Sequence, residues 1–250
     1  MGHSLNAVEA RLQLVDWYSS TNSGKALQAL ESAYLKDVLR LRYGQNLLQI
    51  GALGWEPLFW EPDCFRRAWI VAGQSCGTGK IGRIVALADE LPVDSGSMDF
   101  VLLPHTLEFE RDQHQILRET ERVLKPEGQL HFLGFNPFSP YGLWRHLSWR
   151  QRRTAPGCGR FISCWRMLDW LSLLKFEAEV TATFSLSANS PQGQRKERCK
   201  PSMPWFATGY AIRAIKRTYR RIPVGRTGLL QSHLTPQSVA GPTARDNLHE

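Results

Sequence analysis

The chain has 250 residues, 42% of them hydrophobic, enough for one sizeable core plus appendages and, by default, a single domain. No apolar run nears the eighteen or so residues of a membrane span, and the opening "MGHSLNAVEARLQ" lacks the charged and then apolar layout of a signal peptide, so a cytoplasmic protein is expected. The formal charge of +8 is uneven: residues 142–226 hold 17 Lys and Arg against 4 Asp and Glu, and residues 1–141 hold 13 against 17. The C-terminal half therefore offers either a face for RNA or an anionic membrane surface, or simply a solvated basic side.

In chain order, Ala7 to Arg42 reads as helix, with Leu27, Leu30, Leu35, Val38 and Leu39 recurring at helical spacing until Gly44 ends the segment. "LLQI" at 47–50 is a short apolar run bounded by turn residues, as expected of a strand buried on both faces. "AWIVA" at 68–72, "RIVALA" at 83–88, "MDFVLL" at 98–103 and "GQLHFLGF" at 128–135 read the same way. Between the last two, "RDQHQILRETERVLKPEG" predicts a helix burying Ile116, Leu117, Val123 and Leu124, stopped by Pro126 and Gly128. "SCWRMLDWLSLLKF" at 163–176 predicts another helix, and strands near "EAEVTATFSL" and "TGYAIRAIKR" form an antiparallel hairpin. Residues 187–204 read as a loop and 225–250 as a disordered tail. Buried strands alternating with helices predict a doubly wound α/β fold with a mostly parallel, Rossmann-like sheet, completed by that C-terminal hairpin.

Several motifs are excluded by their spacing. "GQSCGTGKIG" at 73–82 imitates a phosphate-binding loop, but five residues separate Gly73 from Gly79 and Ile81 replaces the hydroxyl that would hold magnesium. A dinucleotide site needs G-x-G-x-x-G and an acid at the tip of the second strand; the turn here is Gly51, Ala52, Leu53, Gly54, and the strand ends in Ala72 and Gly73. Five cysteines without a C-x-x-C pair argue against a disulfide framework or a zinc knuckle, and no metal is expected.

"ALADELPVDSGSMDFVLLPHTLEF" at 86–109 and "RETERVLKPEGQLHFLGFNP" at 118–137 are the most specific stretches. They resemble class I S-adenosylmethionine-dependent methyltransferases, especially the methyltransferase type-11 domain, and the resemblance runs from about Asn46 to Phe135. "GFNPFSPYGLWRHL" and "FISCWRMLDWLSLLKF" look closest to small bacterial members with no assigned substrate. The resemblance implies S-adenosyl-L-methionine as cofactor, Gly51 and Gly54 as the turn under its amino-acid end, and Asp89, Glu90 and Leu91 at its adenine. His105, after the fourth strand, would face the methionine part and the acceptor and serve as the catalytic base. Trp17 and Thr21 resemble a lid segment leading into the first helix. The implied division is a helical lid over 1–45, the methyltransferase-like domain over 46–224 and the tail over 225–250.

Departures from the family pattern are equally specific. Gln49 stands where the family has an acid two residues before the first glycine, Leu53 where it has a glycine, and no acid follows the second strand. Gln49 can still orient the turn by hydrogen bonding but supplies no charge to the cofactor's ammonium. "LLPHTLEF" also lacks the asparagine-proline-proline-aromatic platform for amine methylation on nucleobases. Glu108 and His114 read as surface residues of the following helix. The expected function is methyl transfer from S-adenosylmethionine to an unidentified small or lipid-like acceptor. The alternative is a non-catalytic protein of the same fold, bound to RNA or an anionic surface through its basic half.

Overall fold

The computed structural model describes residues 2–40, 44–60, 65–72, 82–139, 142, 159–186 and 207–217. The imitation phosphate loop, Trp144 and Trp149, the arginine cluster at 150–153, the 187–204 loop and the 225–250 tail lie largely or wholly outside these residues.

The N-terminal helical pattern forms two helices, α1 (Gly2–Ser20) and α2 (Asn22–Arg40), rather than one. Thr21 marks the break: its hydroxyl donates to the Trp17 carbonyl at 2.8 Å and accepts from Gly24 N at 2.9 Å. A Cβ on Gly24 would overlap the Trp17 carbonyl and lie 2.8 Å from Tyr18 Cα, so the bend needs glycine there. Trp17 thus belongs to α1 and does not precede the first helix. The α2 stripe buries Leu27, Leu35 and Leu39, each worth about 2 kcal/mol when removed from water. Leu30, expected on the same face, is 42% exposed, because the true stripe runs at steps of four.

The strands follow as β1 (Asn46–Ile50), β2 (Arg67–Ala72), β3 (Gly82–Val85) and β4 (Met98–Pro104). After them come α3 (Gln113–Val123), β5 (Leu124–Phe135), α4 (Cys164–Leu173), β6 (Phe176–Phe184) and β7 (Gly209–Lys216). They form one seven-stranded sheet in the order β3-β2-β1-β4-β5-β7-β6. The first five strands are parallel, and β7 pairs antiparallel with both β5 and β6, which is the expected C-terminal hairpin. Leu124, expected on the α3 stripe, instead opens β5, where it pairs with Met98. "KPEG" then puts an irregularity in the register before Gln129 meets Phe100, with Glu127 at φ 61.

Both faces of the sheet are covered. Leu48, Val101, Leu103 and Phe132 pack with Ile116 and Leu117 of α3 and with Met167 and Leu171 of α4. Leu47, Phe100, Leu102 and Leu133 pack on the other side with Leu14 and Trp17 of α1 and Leu27 and Leu35 of α2. Among the described residues, the β1 to β2 and β3 to β4 crossovers hold no α-helix, only a 3₁₀ turn at Glu56–Leu58. Strict alternation of strand and helix is thus relaxed, and the N-terminal pair supplies a layer that crossover helices would otherwise form.

Candidate functional site

Each candidate residue lies where a parallel strand ends. The turn after β1 continues the ladder for one residue, with Gly51 N donating to Val71 O at 2.8 Å. Gly51 and Gly54 then adopt φ of 92° and 83°, a left-handed region that costs other residues about 1–2 kcal/mol. Glu56 organises the turn from inside: its Oε1 accepts from Leu53 N at 2.5 Å, Gly54 N at 3.3 Å and Gln49 Nε2 at 3.1 Å. Gln49 Nε2 also donates to Gly51 O at 2.8 Å. These bonds fix the amide of Gln49, and its Oε1 is left buried with no hydrogen-bond partner among the described residues. Such an atom costs about 1–3 kcal/mol while it stays unsatisfied.

Helix α1 lies directly over this turn. A Cβ on Gly51 would overlap Arg11 Nη1 and stand 2.6 Å from Thr106 Oγ1, and one on Gly54 would meet Val15 Cγ1 at 3.1 Å. Arg11 Nη2 pairs with Glu110 Oε1 at 3.0 Å; the arginine side chain is 17% exposed. Burial pulls the Arg11 guanidinium below its usual value, and Glu110 opposes that pull.

At the neighbouring strand, β4 is followed by His105, a non-glycine residue at φ 50, and Thr106, whose hydroxyl donates to the Ile50 carbonyl. The two turns are therefore joined. His105 is buried, with Nε2 3.1 Å from Glu31 Oε1 of α2 and Nδ1 3.2 Å from Glu108 Oε2. Tyr18 of α1 donates to Glu31 Oε2 at 2.7 Å and lies 3.2 Å from His105 Nε2. Glu108 Oε1 in turn accepts from Phe135 N at 2.6 Å, and the imidazole ring rests on Phe135 with centroids 4.2 Å apart. Burial alone would lower the His105 pKa, but Glu108 and Glu31 outweigh it and raise it to about 10. Both ring nitrogens face carboxylates, an arrangement that favours the imidazolium. Glu108, expected at the surface of the following helix, is instead buried in the turn before α3 and holds His105, whereas His114 is exposed as expected.

The third turn, after β3, carries half-buried Asp89, exposed Glu90 and buried Leu91. It borders a cleft of about 520 Å³ lined also by Leu87, Gln115, Glu119 and Arg122. Glu119 and Arg122 of α3 hold the segment: Leu91 N donates to Glu119 at 3.1 Å, and Arg122 donates to the Leu91 and Val93 carbonyls at 2.9 and 2.8 Å. Their mutual ion pair lowers Glu119 and raises Arg122. Because β2 lies between β3 and β1, this turn sits two strand spacings, about 10 Å, from the glycine turn. The structure thus brings Gln49, Gly51, Gly54 and His105 together, with Asp89, Glu90 and Leu91 further along the same edge.

Four contributors escaped sequence reasoning: Arg11, Tyr18, Glu31 and Glu56. One signal was present. Glu31 falls between Leu27 and Leu35 at steps of four, so a carboxylate sits on an apolar stripe, which requires a buried partner.

A parallel sheet with its candidate turns at the strand ends, finished by an antiparallel β7, defines the class I methyltransferase fold. A methyltransferase-domain profile matches residues 68–132. The chain is 41% identical over 197 residues to the uncharacterized protein YafS of Escherichia coli, covering 78% of this chain and 77% of that one. The fold is similar to that of a possible histamine N-methyltransferase from Thermotoga maritima, with a TM-score of 0.57 at 20% identity over 73% of this chain and 87% of that one. It is equally similar to a methyltransferase from Archaeoglobus fulgidus, with a TM-score of 0.57 at 16% identity, covering 75% and 94%. The chain belongs to the same family as YafS and carries a methyltransferase domain over residues 68–132. Among the described residues no helix is long and apolar enough to cross a membrane, and no cluster of potential metal ligands occurs.

Proposed function

We propose that the chain transfers a methyl group from S-adenosylmethionine to a small or lipid-like acceptor. In this reading Gln49, Gly51 and Gly54 hold the cofactor's amino-acid end, and Asp89, Glu90 and Leu91 hold its adenine. The cofactor supplies an activated methyl group on a sulfonium, so the protein's part is chiefly to orient the two reactants and exclude water. One observation carries the reading. At the carboxyl end of β1, where open α/β sheets bind ligands, the positive-φ glycine turn has beside it the buried Oε1 of Gln49, unpartnered among the described residues. That oxygen is a neutral acceptor suited to an ammonium group. His105 enters as a positioning residue that ties the α1 and α2 layer to β4, not as the base. Such a site suits an acceptor that is already nucleophilic and has no proton to lose to the enzyme.

The test is calorimetric titration of the full chain with S-adenosylmethionine, using Asp89→Ala as control. Saturable binding that weakens at least about tenfold in the variant is expected, since a carboxylate hydrogen bond contributes about 1.5–3 kcal/mol. No binding up to millimolar cofactor refutes the enzyme. A second reading, a non-catalytic protein docked on RNA or an anionic surface by its basic half, draws support from the closure of α1 over Gly51 and from the neutral Gln49. It predicts salt-sensitive binding to RNA or anionic vesicles, and their failure to bind at low salt removes it.

A further inference from the structure

The proposed cofactor presents three charges near its amino-acid end: a sulfonium, an ammonium and a carboxylate. Two protein groups at the Gly51 turn have unused hydrogen-bonding capacity of opposite kinds. One is Gln49 Oε1, an acceptor buried without a partner among the described residues. The other is Arg11, whose guanidinium carries five N–H donors and, among the described residues, hydrogen-bonds through Nη2, to Glu110. Its Nη1 occupies the space that a side chain on residue 51 would take. Glu110 anchors the far edge of the guanidinium plane and leaves Nη1 over the turn. Repulsion excludes the sulfonium and the ammonium as partners for this cation, and the carboxylate is the remaining charged group. A planar donor fork matches a carboxylate in two parallel bonds, which an ammonium side chain cannot do.

We infer that Arg11 of α1 is the counter-ion of the cofactor's carboxylate, with Gln49 Oε1 of the same turn receiving its ammonium. This inference rests on the reading that the chain binds S-adenosylmethionine. It gives the family's missing first-strand acid a physical replacement: a zwitterion held mainly through its negative end by α1, instead of through its positive end by β1. It also makes α1 part of the cofactor site, so that Arg11 and Val15, which now fill the cradle over Gly51 and Gly54, shift as the cofactor enters.

The experiment titrates the full chain with S-adenosylhomocysteine and, separately, with 5′-methylthioadenosine, which lacks the amino-acid end. Arg11→Ala weakens S-adenosylhomocysteine by about ten- to a hundredfold and leaves methylthioadenosine within about twofold of wild type. Arg11→Lys restores only part of the loss. If Arg11→Ala fails to fold, Arg11→Gln keeps the apolar stem and reads the same loss. Unchanged or tighter S-adenosylhomocysteine binding by Arg11→Ala overturns the inference, tighter binding marking Arg11 as a plug that the ligand displaces. In that case the cofactor reading stands. A wild-type chain that binds neither nucleoside overturns both.

Discussion

Replacing His105 by Gln tests the buried charge cluster that joins the N-terminal helices to the sheet. The substitution leaves Glu31 and Glu108 on either side of a neutral amide, both inaccessible to water. Removing one member of a buried ion pair typically costs about 3–5 kcal/mol. The pH dependence gives the sharper test. The folded-state pKa of His105 is raised to about 10 from an ordinary value of 6.5. The stabilisation is therefore fully present below pH 6.5 and is lost as pH rises through about 10. Between those limits the folded chain holds one proton more than the unfolded chain, and stability falls by about 1.4 kcal/mol per pH unit. The groups facing the ring are Glu31, Glu108 and Tyr18. Urea unfolding followed by tryptophan fluorescence at pH 7, 8, 9 and 10 measures the slope. At pH 7 the variant midpoint falls by about 1–2 M, taking a urea dependence of about 2–3 kcal/mol per molar. By pH 10 the two midpoints converge. Lysines and other tyrosines titrate in both proteins and cancel in the difference. Parallel pH profiles, with a constant gap from pH 7 to 10, would refute an imidazolium at this position.

Three further substitutions probe the turns. Gly51→Ala places a Cβ against Arg11 Nη1 and Thr106 Oγ1 at a φ of 92°, and should cost about 2–4 kcal/mol in unfolding free energy, whereas Gly44→Ala, with φ 75 and open space, should cost only about 1–2 kcal/mol. Equal losses at the two sites would show that α1 does not press on the turn. Arg122→Ala removes donors from the Leu91 and Val93 carbonyls and the ion pair with Glu119 at a partly exposed site. A loss of about 1–2 kcal/mol is expected, together with faster amide exchange across residues 89–95, and unchanged exchange there would remove α3 as the support of the Asp89 turn.

The central strands β1 and β4 were legible because each is a short apolar run buried on both faces, a pattern that needs no partner to be recognised. "LLQI", "AWIVA" and "MDFVLL" fall within a residue or two of β1, β2 and β4. "RIVALA" overreached: β3 ends at Val85, because it is an edge strand whose Val85 and Leu87 stay exposed. The break at Thr21 was hidden, since leucines recur at helical spacing on both sides of it and only the packing of Gly24 against Trp17 shows the bend.

Composition, run length and turn residues determined the mostly parallel sheet and its antiparallel finish, because both depend on local pattern and on crossovers of fixed hand, whereas the strand order is read from the structure. The motif at 86–109 determined the family. Tertiary structure alone decided what surrounds His105. A histidine at a strand end can be a base or a buried cation, and the choice depends on carboxylates that arrive from 74 residues upstream and three residues downstream. It likewise decided that Arg11, distant in sequence from the glycine turn, lies on it, since helix docking is set by the shape and charge of the whole layer.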